Sequence, residues 1–302
     1  MMILVLLGAS LLSFVLIAMS DKNPAEVIAA KNGFLTDEVK VAELTSQLGL
    51  DKPVPLRYLI WLKGLLTGNM GVSLSTFNPV VDDIAARLPV TLLLMGMAIV
   101  WIVIIATPLS LLCARFKNGV FDHITRGVTV FGISLPTFWL GFILLLVFAV
   151  KLHWLPVVPK GNIVDYILPS FALALPTACS VIRVFRSSLL TEMSADYVGF
   201  AKARGLGSTR ILLKHTLRNA LPPVVVLLCQ YIGYLMAGSA VIESIFSLNG
   251  IGNYLLLCIT TADDNAAATC IILIAAVFAV SNLAADIINK LLCPWIVRES
   301  NA

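Results

Sequence analysis

The chain has 302 residues, of which 59% are hydrophobic and only 13% charged, and its mean hydropathy of +0.95 excludes an ordinary soluble globular domain. The formal net charge of +4 sits in loops rather than in a nucleic-acid-binding run, so no nucleic-acid partner is implied. Six scattered cysteines without a Cys-x-x-Cys pair give no disulfide framework, and a thiol inside an apolar run behaves as a small apolar side chain.

A bilayer core about 30 Å thick requires about 20 consecutive apolar helical residues. Six runs approach that length, near 2–19, 88–113, 127–150, 166–190, 220–243 and 266–288, so the expected fold is all-α and polytopic, with six transmembrane helices. The first run (1–19) lacks a basic start and has no Ala-x-Ala site before Asp21, and therefore reads as a membrane anchor rather than a signal peptide. Residues 20–87 carry charges of both signs and form an extracytoplasmic segment. Within it an amphipathic stretch runs around Leu44 to Leu50; beyond Pro53 and Pro55, the spacing of Tyr58, Trp61, Leu62, Leu65 and Leu66 predicts a helix lying on the membrane surface or against the bundle.

Residues 88–290 hold the other five spans, and 291–302 form a cytoplasmic tail. Pro108, Pro136, Pro169 and Pro176 fall in or beside these runs and read as kinks whose freed backbone groups neighbouring helices satisfy. The loop 151–165 is interfacial, with Trp154 at the headgroup boundary and His153 solvated. Arg115, Lys117 and Arg126, then Arg183 to Arg218, then Lys290 and Arg298 all fall on one side of such a six-span chain. Basic residues favour the cytoplasmic side, so both termini are placed there.

The cytoplasmic loop 183–219 departs from the membrane pattern. It reads as a helix–turn–helix in which Ser194 caps the first helix and Asp196 sits in its first turn. Gly205 or Gly207 supplies a left-handed residue, and Ser208 caps the second helix. Its basic residues Lys202, Arg204, Arg210, Lys214, His215 and Arg218 alternate with Ala201, Ala203, Leu206, Leu212 and Leu213. An ordinary positively charged inside loop explains the charge, and docking of another protein explains the helices and the Gly turn. Composition leaves both open.

Chemistry of other kinds is missing from the sequence. A phosphate cradle needs Gly-x4-Gly-Lys-Ser/Thr, and the nearest match, Gly127 to Ser134, places Ile133 where the Lys belongs. The three histidines, 123, 153 and 215, fall in separate loops, so no metal site is proposed, and no Gly-x-Ser-x-Gly nucleophile elbow occurs. Among ionisable residues in the spans, Glu243 and Asp286 lie near helix ends, where snorkelling or pairing is expected rather than ion coupling. A chain of this kind is a transport subunit powered by a partner, not an enzyme. An ion-coupled transporter and a non-transporting membrane scaffold are the rival readings.

Several motifs are similar to those of one family. They are Gly68-Asn-Met-Gly-Val-Ser73, Arg87-Leu-Pro-Val-Thr91, Ser134-Leu-Pro-Thr-Phe-Trp139, Asp196-Tyr-Val, Ala201-Lys-Ala-Arg-Gly-Leu206, His215-Thr-Leu-Arg-Asn-Ala-Leu-Pro222 and Val241-Ile-Glu-Ser-Ile-Phe246. From about Leu48 to Arg298 the chain resembles the permeases of peptide and nickel ABC importers, specifically the first of two paired permeases. The resemblance implies a type I importer permease fold in a bacterial cytoplasmic (inner) membrane. It also implies a second homologous permease, two ABC ATPases that bind ATP and Mg, and an extracytoplasmic solute-binding protein, with no cofactor in this chain.

By the same resemblance the loop 194–219 inserts a coupling helix into the ATPase, through Asp196, Tyr197, Ala201, Ala203, Arg204, Gly205, Leu206, His215, Arg218 and Asn219. Ala201, Ala203 and Gly205 would allow close backbone approach, and Arg204 and Arg218 would pair with acids on the partner. The chain departs from the family at Asn69-Met70, at Leu248-Asn249, and at Gly199, where an acidic residue is usual. It also opens Met-Met-Ile-Leu without a preceding Arg-Arg segment, which suggests a late start codon or a shortened terminus. Chelated nickel and short peptides are the expected substrates, with a slight lean to nickel from Trp139-Leu, His153-Trp-Leu-Pro and Tyr231-Ile-Gly.

Overall fold

The computed structural model describes residues 2–18, 24–31, 38–47, 49 and 51–292; Leu48, Leu50 and the tail 293–302 lie outside them. Helices make up the architecture, and among the described residues the one β feature is an isolated bridge between Val72 and Pro79. In chain order they are α1 (Met2–Ala18), α2 (Pro24–Lys31), α3 (Glu38–Gln47), α4 (Val54–Leu66), α5 (Val80–Arg115), α6 (Val120–Ser134), α7 (Thr137–Leu144), α8 (Ile167–Met193), α9 (Asp196–Ala203), α10 (Ser208–Ile211), α11 (Leu217–Ile245), α12 (Ile251–Thr260) and α13 (Asp264–Leu292). They group into two compact units, Met1–Leu92 with Leu248–Ala279 and Leu93–Ser247 with Val280–Ala302.

By length and composition, four described helices can cross a bilayer: Val80–Arg115, Ile163–Met193, Ser208–Ile245 and Asp264–Leu291. The pair Val120–Ser134 and Thr137–Lys151 makes a fifth if counted as one span. The run expected at 2–19 corresponds to α1, which at 17 residues is shorter than these, so four or five of the six expected spans are met by length and composition.

Two expectations change. The run 127–150 is not one straight helix but bends by 99° between α6 and α7. The cause is local: a residue preceding proline is pushed out of the α region, and Leu135, before Pro136, is extended at φ −73°, ψ 124°. Pro136 is thus a break, whereas Pro108, Pro169 and Pro176 are carried inside helices. Second, the helix expected at 209–219 is not separate from the next span, because α10, a π turn at Leu212–Thr216 and α11 run on as one helix.

In the first unit, α4 packs on α1, the second of the two placements its Trp and Leu spacing left open. The Phe14 ring lies 5.6 Å from Tyr58 and 5.7 Å from Trp61, and the Tyr58 and Ser10 hydroxyls are 2.8 Å apart. The irregular stretch after α4, with left-handed backbone at Gly71 and Phe77, is held by two buried carboxylates. Asp263 accepts from Ser73 Oγ (2.6 Å), Ser75 N (3.1 Å), Ser75 Oγ (3.2 Å) and Ala266 N (3.3 Å). Asp83 accepts from the Thr76 hydroxyl and from Tyr254 Oη (3.1 Å), while Arg87 lies 3.6 Å from its other oxygen and 4.5 Å over the Tyr254 ring. Buried polar atoms must be bonded, and here the bonding fixes a loop that has no secondary structure of its own.

In the second unit, α6 and α8 run antiparallel in close contact. Asp122, fully buried near the start of α6, accepts from Arg186 Nε (2.5 Å) and Nη2 (2.7 Å) late in α8. Ten residues further along α6, a Cβ at Gly132 would collide with Cys179 Sγ, so a larger residue there would have to displace the Cys179 side chain. Glu243 does not snorkel: it is fully buried and accepts from Ser239 Oγ at 3.0 Å.

Candidate functional site

The segment 183–219 forms an elbow between α8 and α11. It begins on α8, where Arg186 is clamped by the buried Asp122 carboxylate, itself also bonded by Asn118 N at 3.0 Å. Three residues past α8 the chain turns into α9, whose first turn contains Asp196, a favourable place for a carboxylate at the positive end of the helix.

The caps differ from expectation. The N-cap of α9 is Ala195, and Ser194 instead closes α8, donating its hydroxyl to Thr191 O at 2.7 Å. The N-cap of α10 is Gly207, and Ser208 is already helical. Neither serine is in the extended conformation from which an N-cap side chain reaches forward.

The turn between α9 and α10 is a Schellman closure. Gly205 is left-handed at φ +78°, Gly205 N donates to Lys202 O at 2.9 Å, and Leu206 N donates to Ala201 O at 3.2 Å. These two bonds cap the otherwise orphaned carbonyls, and an apolar contact across the turn usually accompanies them. Here Leu206 packs on the small core of Val198, Ala201 and Ile211, with Tyr197 beside it. Gly207, the other candidate, is extended rather than left-handed.

Tyr197 Oη donates to Glu192 Oε2 at 2.9 Å, tying α9 back to the end of α8. Burial pushes the Tyr197 hydroxyl above the usual phenol range, helped by Glu192, so it remains a donor at neutral pH.

This geometry sorts the ten residues singled out in the sequence. Ala201 is buried within the elbow, Tyr197 and Leu206 are half-buried against it, and His215 is half-buried in the π turn. Asp196, Ala203, Arg204 and Gly205 are exposed along α9 and its turn, and Arg218 and Asn219 are exposed in the first turn of α11. Ala201 therefore supports the elbow instead of offering close backbone approach.

The sequence reading missed Phe200. Its side chain is 73% exposed, with Gly199, Lys202 and Ala203 also exposed around it. An exposed aromatic side chain on a short, internally packed helix is the kind of anchor that fills a pocket on a partner. The available signal was an aromatic among small and charged residues in a polar loop. Glu192, which positions Tyr197, was also missed. Among the described residues no group of three or more His, Cys, Asp or Glu side chains converges to hold a metal ion.

Comparison with known proteins assigns most of the chain. Residues 106–298 match the family described as binding-protein-dependent transport system inner membrane component, and residues 1–95 match the N-terminal component of such systems. Over 288 residues the chain is 34% identical to the glutathione transport system permease protein GsiC of Escherichia coli (strain K12), spanning 95% of this chain and 93% of that protein. The same figures hold for the GsiC protein of Shigella flexneri serotype 5b (strain 8401). The chain therefore belongs to the binding-protein-dependent transport system inner membrane components, as a multi-pass permease subunit of an ABC importer of the peptide and nickel class.

Proposed function

We propose that this chain is one of two paired permeases in an importer of short peptides of the glutathione type, and that its elbow docks on a separate ATPase. The observation that carries the docking assignment is Phe200, held out at 73% exposure by a helix whose other face is committed to the elbow's own core. Loops positioned by a rigid scaffold are where binding function concentrates. In this reading 183–219 and both termini are cytoplasmic, and the ATPases bind ATP and Mg. A second permease completes the path, and an extracytoplasmic binding protein delivers the solute.

For the substrate, the nickel lean rests on three short segments. Similarity over 95% of the chain to permeases named for glutathione transport supports a peptide instead. The test is to co-purify the importer in lipid and measure ATP hydrolysis with its binding protein loaded with glutathione, a dipeptide or a nickel chelate. Stimulation by glutathione or the dipeptide is expected. Stimulation by the nickel chelate alone would overturn the substrate assignment and leave the docking assignment standing.

A further inference from the structure

The groove between α6 and α8 is built for a different ligand. It is an open cavity of about 780 Å³, within the roughly 300–1,000 Å³ typical of ligand sites. One wall is the α6 stripe Arg126, Thr129, Val130 and Ile133, and the other is the α8 stripe Ser180, Arg183, Val184 and Ser187. Both follow the i, i+3, i+4, i+7 spacing of a single helix face.

The antiparallel register, fixed by Asp122 against Arg186 and Gly132 against Cys179, orders the groove from end to end. Arg126 lies at the end near Asp122, level with Arg183 and Arg186, whereas Ile133 lies at the far end beside Ser180. Positive charge therefore gathers at the end of the spans, and apolar side chains continue from it towards the membrane interior. Val130 is 57% exposed, so that wall is uncovered in this chain.

Arg186 is taken by Asp122, whose carboxylate also attracts Arg126 at longer range, but among the described residues neither Arg126 nor Arg183 is in a direct ion pair, and both are exposed. Arginine is the side chain best suited to a phosphodiester, because its planar fork presents paired donors to paired oxygens. Basic pockets between membrane helices, with apolar surface continuing below, suit a lipid that carries negative charge in its headgroup. We propose that this groove binds an anionic phospholipid, its phosphate between Arg126 and Arg183 and an acyl chain along Val130 and Ile133. The assignment does not depend on the substrate or on the ATPase contact.

The test uses the intact importer in nanodiscs of phosphatidylcholine containing a minor fraction of cardiolipin or phosphatidylglycerol, followed by mild detergent release and native mass spectrometry. The wild type is expected to retain the anionic lipids over phosphatidylcholine. The Arg126→Gln/Arg183→Gln pair should lose that retention by about 30-fold, the effect of removing two basic residues from an anionic surface. Arg126→Lys/Arg183→Lys should keep part of it and guards against loss through misfolding. The Lys151→Gln/Lys160→Gln pair makes the same charge change at two exposed positions of the loop 151–165 and should leave retention unchanged. Undiminished retention in the groove pair, equal loss in the loop pair, or displacement of lipid by millimolar inorganic phosphate would each overturn the proposal, the last by showing a soluble-anion site.

Discussion

The stretch 71–79 and the elbow's turn 204–207 are both irregular backbone between helices, yet they are held by opposite means. The first is fixed by side chains: Asp263 and Asp83 gather hydroxyls, amides and a tyrosine into buried networks. The second is fixed by its own main chain, through the Schellman bonds at Gly205 and Leu206 and a core of a few apolar residues. A network of buried carboxylates turns its polar groups inward and leaves little for a partner. A main-chain turn keeps one face of its helix uncommitted, and on α9 that face carries Phe200. The difference fits the first region to a structural role and the second to the docking role proposed for it.

Substitutions can break this comparison on either side. Asp263→Ala should be the most damaging, because Ser73, Ser75 and Ala266 lose a buried acceptor together; at about 1–3 kcal/mol for each buried donor left unsatisfied, a loss of about 4 kcal/mol is expected. Thermal unfolding in detergent would show it as a large fall in midpoint. Asp122→Ala should cost about 3 kcal/mol, the low end for a broken buried pair, since Arg186 keeps 17% exposure. An unchanged midpoint in the same assay would show that α8 does not rely on this clamp.

Gly205→Ala tests the main-chain device. Nothing lies within 4 Å of the added Cβ, but φ is +78°, so the cost is the left-handed strain of about 1 kcal/mol. The expected outcome is a small drop in midpoint together with a clear loss of solute-stimulated ATP hydrolysis, as the elbow reorients. If bulk rather than backbone were decisive, Gly205→Ala would behave as wild type and only Gly205→Trp would fail.

How much of this could be read from the sequence depends on the range of the interaction. The long apolar runs pointed to the spans because lipid imposes a length, and local helical spacing gave the apolar face of α4, though not its partner Phe14. Gly205 was identifiable because φ > 0 favours glycine. The serine caps at 194 and 208 were each misplaced by one residue, since α9 is capped by Ala195 and α10 by Gly207, and a helix boundary is the least sharply written part of its pattern. The break at Pro136 looked like any other membrane proline, since a kink and a 99° bend share the same residue and differ in what the neighbours allow. The clusters around Asp83 and Asp263 join residues about 170–190 positions apart, which no local pattern reveals.

Phe200→Ala gives the smallest effect on stability and bears most directly on the central claim. An exposed side chain contributes little to folding, so the unfolding midpoint should shift by less than about 0.5 kcal/mol equivalent. An aromatic anchor at an interface is worth about 2 kcal/mol or more, so co-purification of the ATPase with the variant permease should fall at least about 10-fold. Undiminished co-purification with a folded Phe200→Ala protein would contradict the assignment of this elbow as the docking surface.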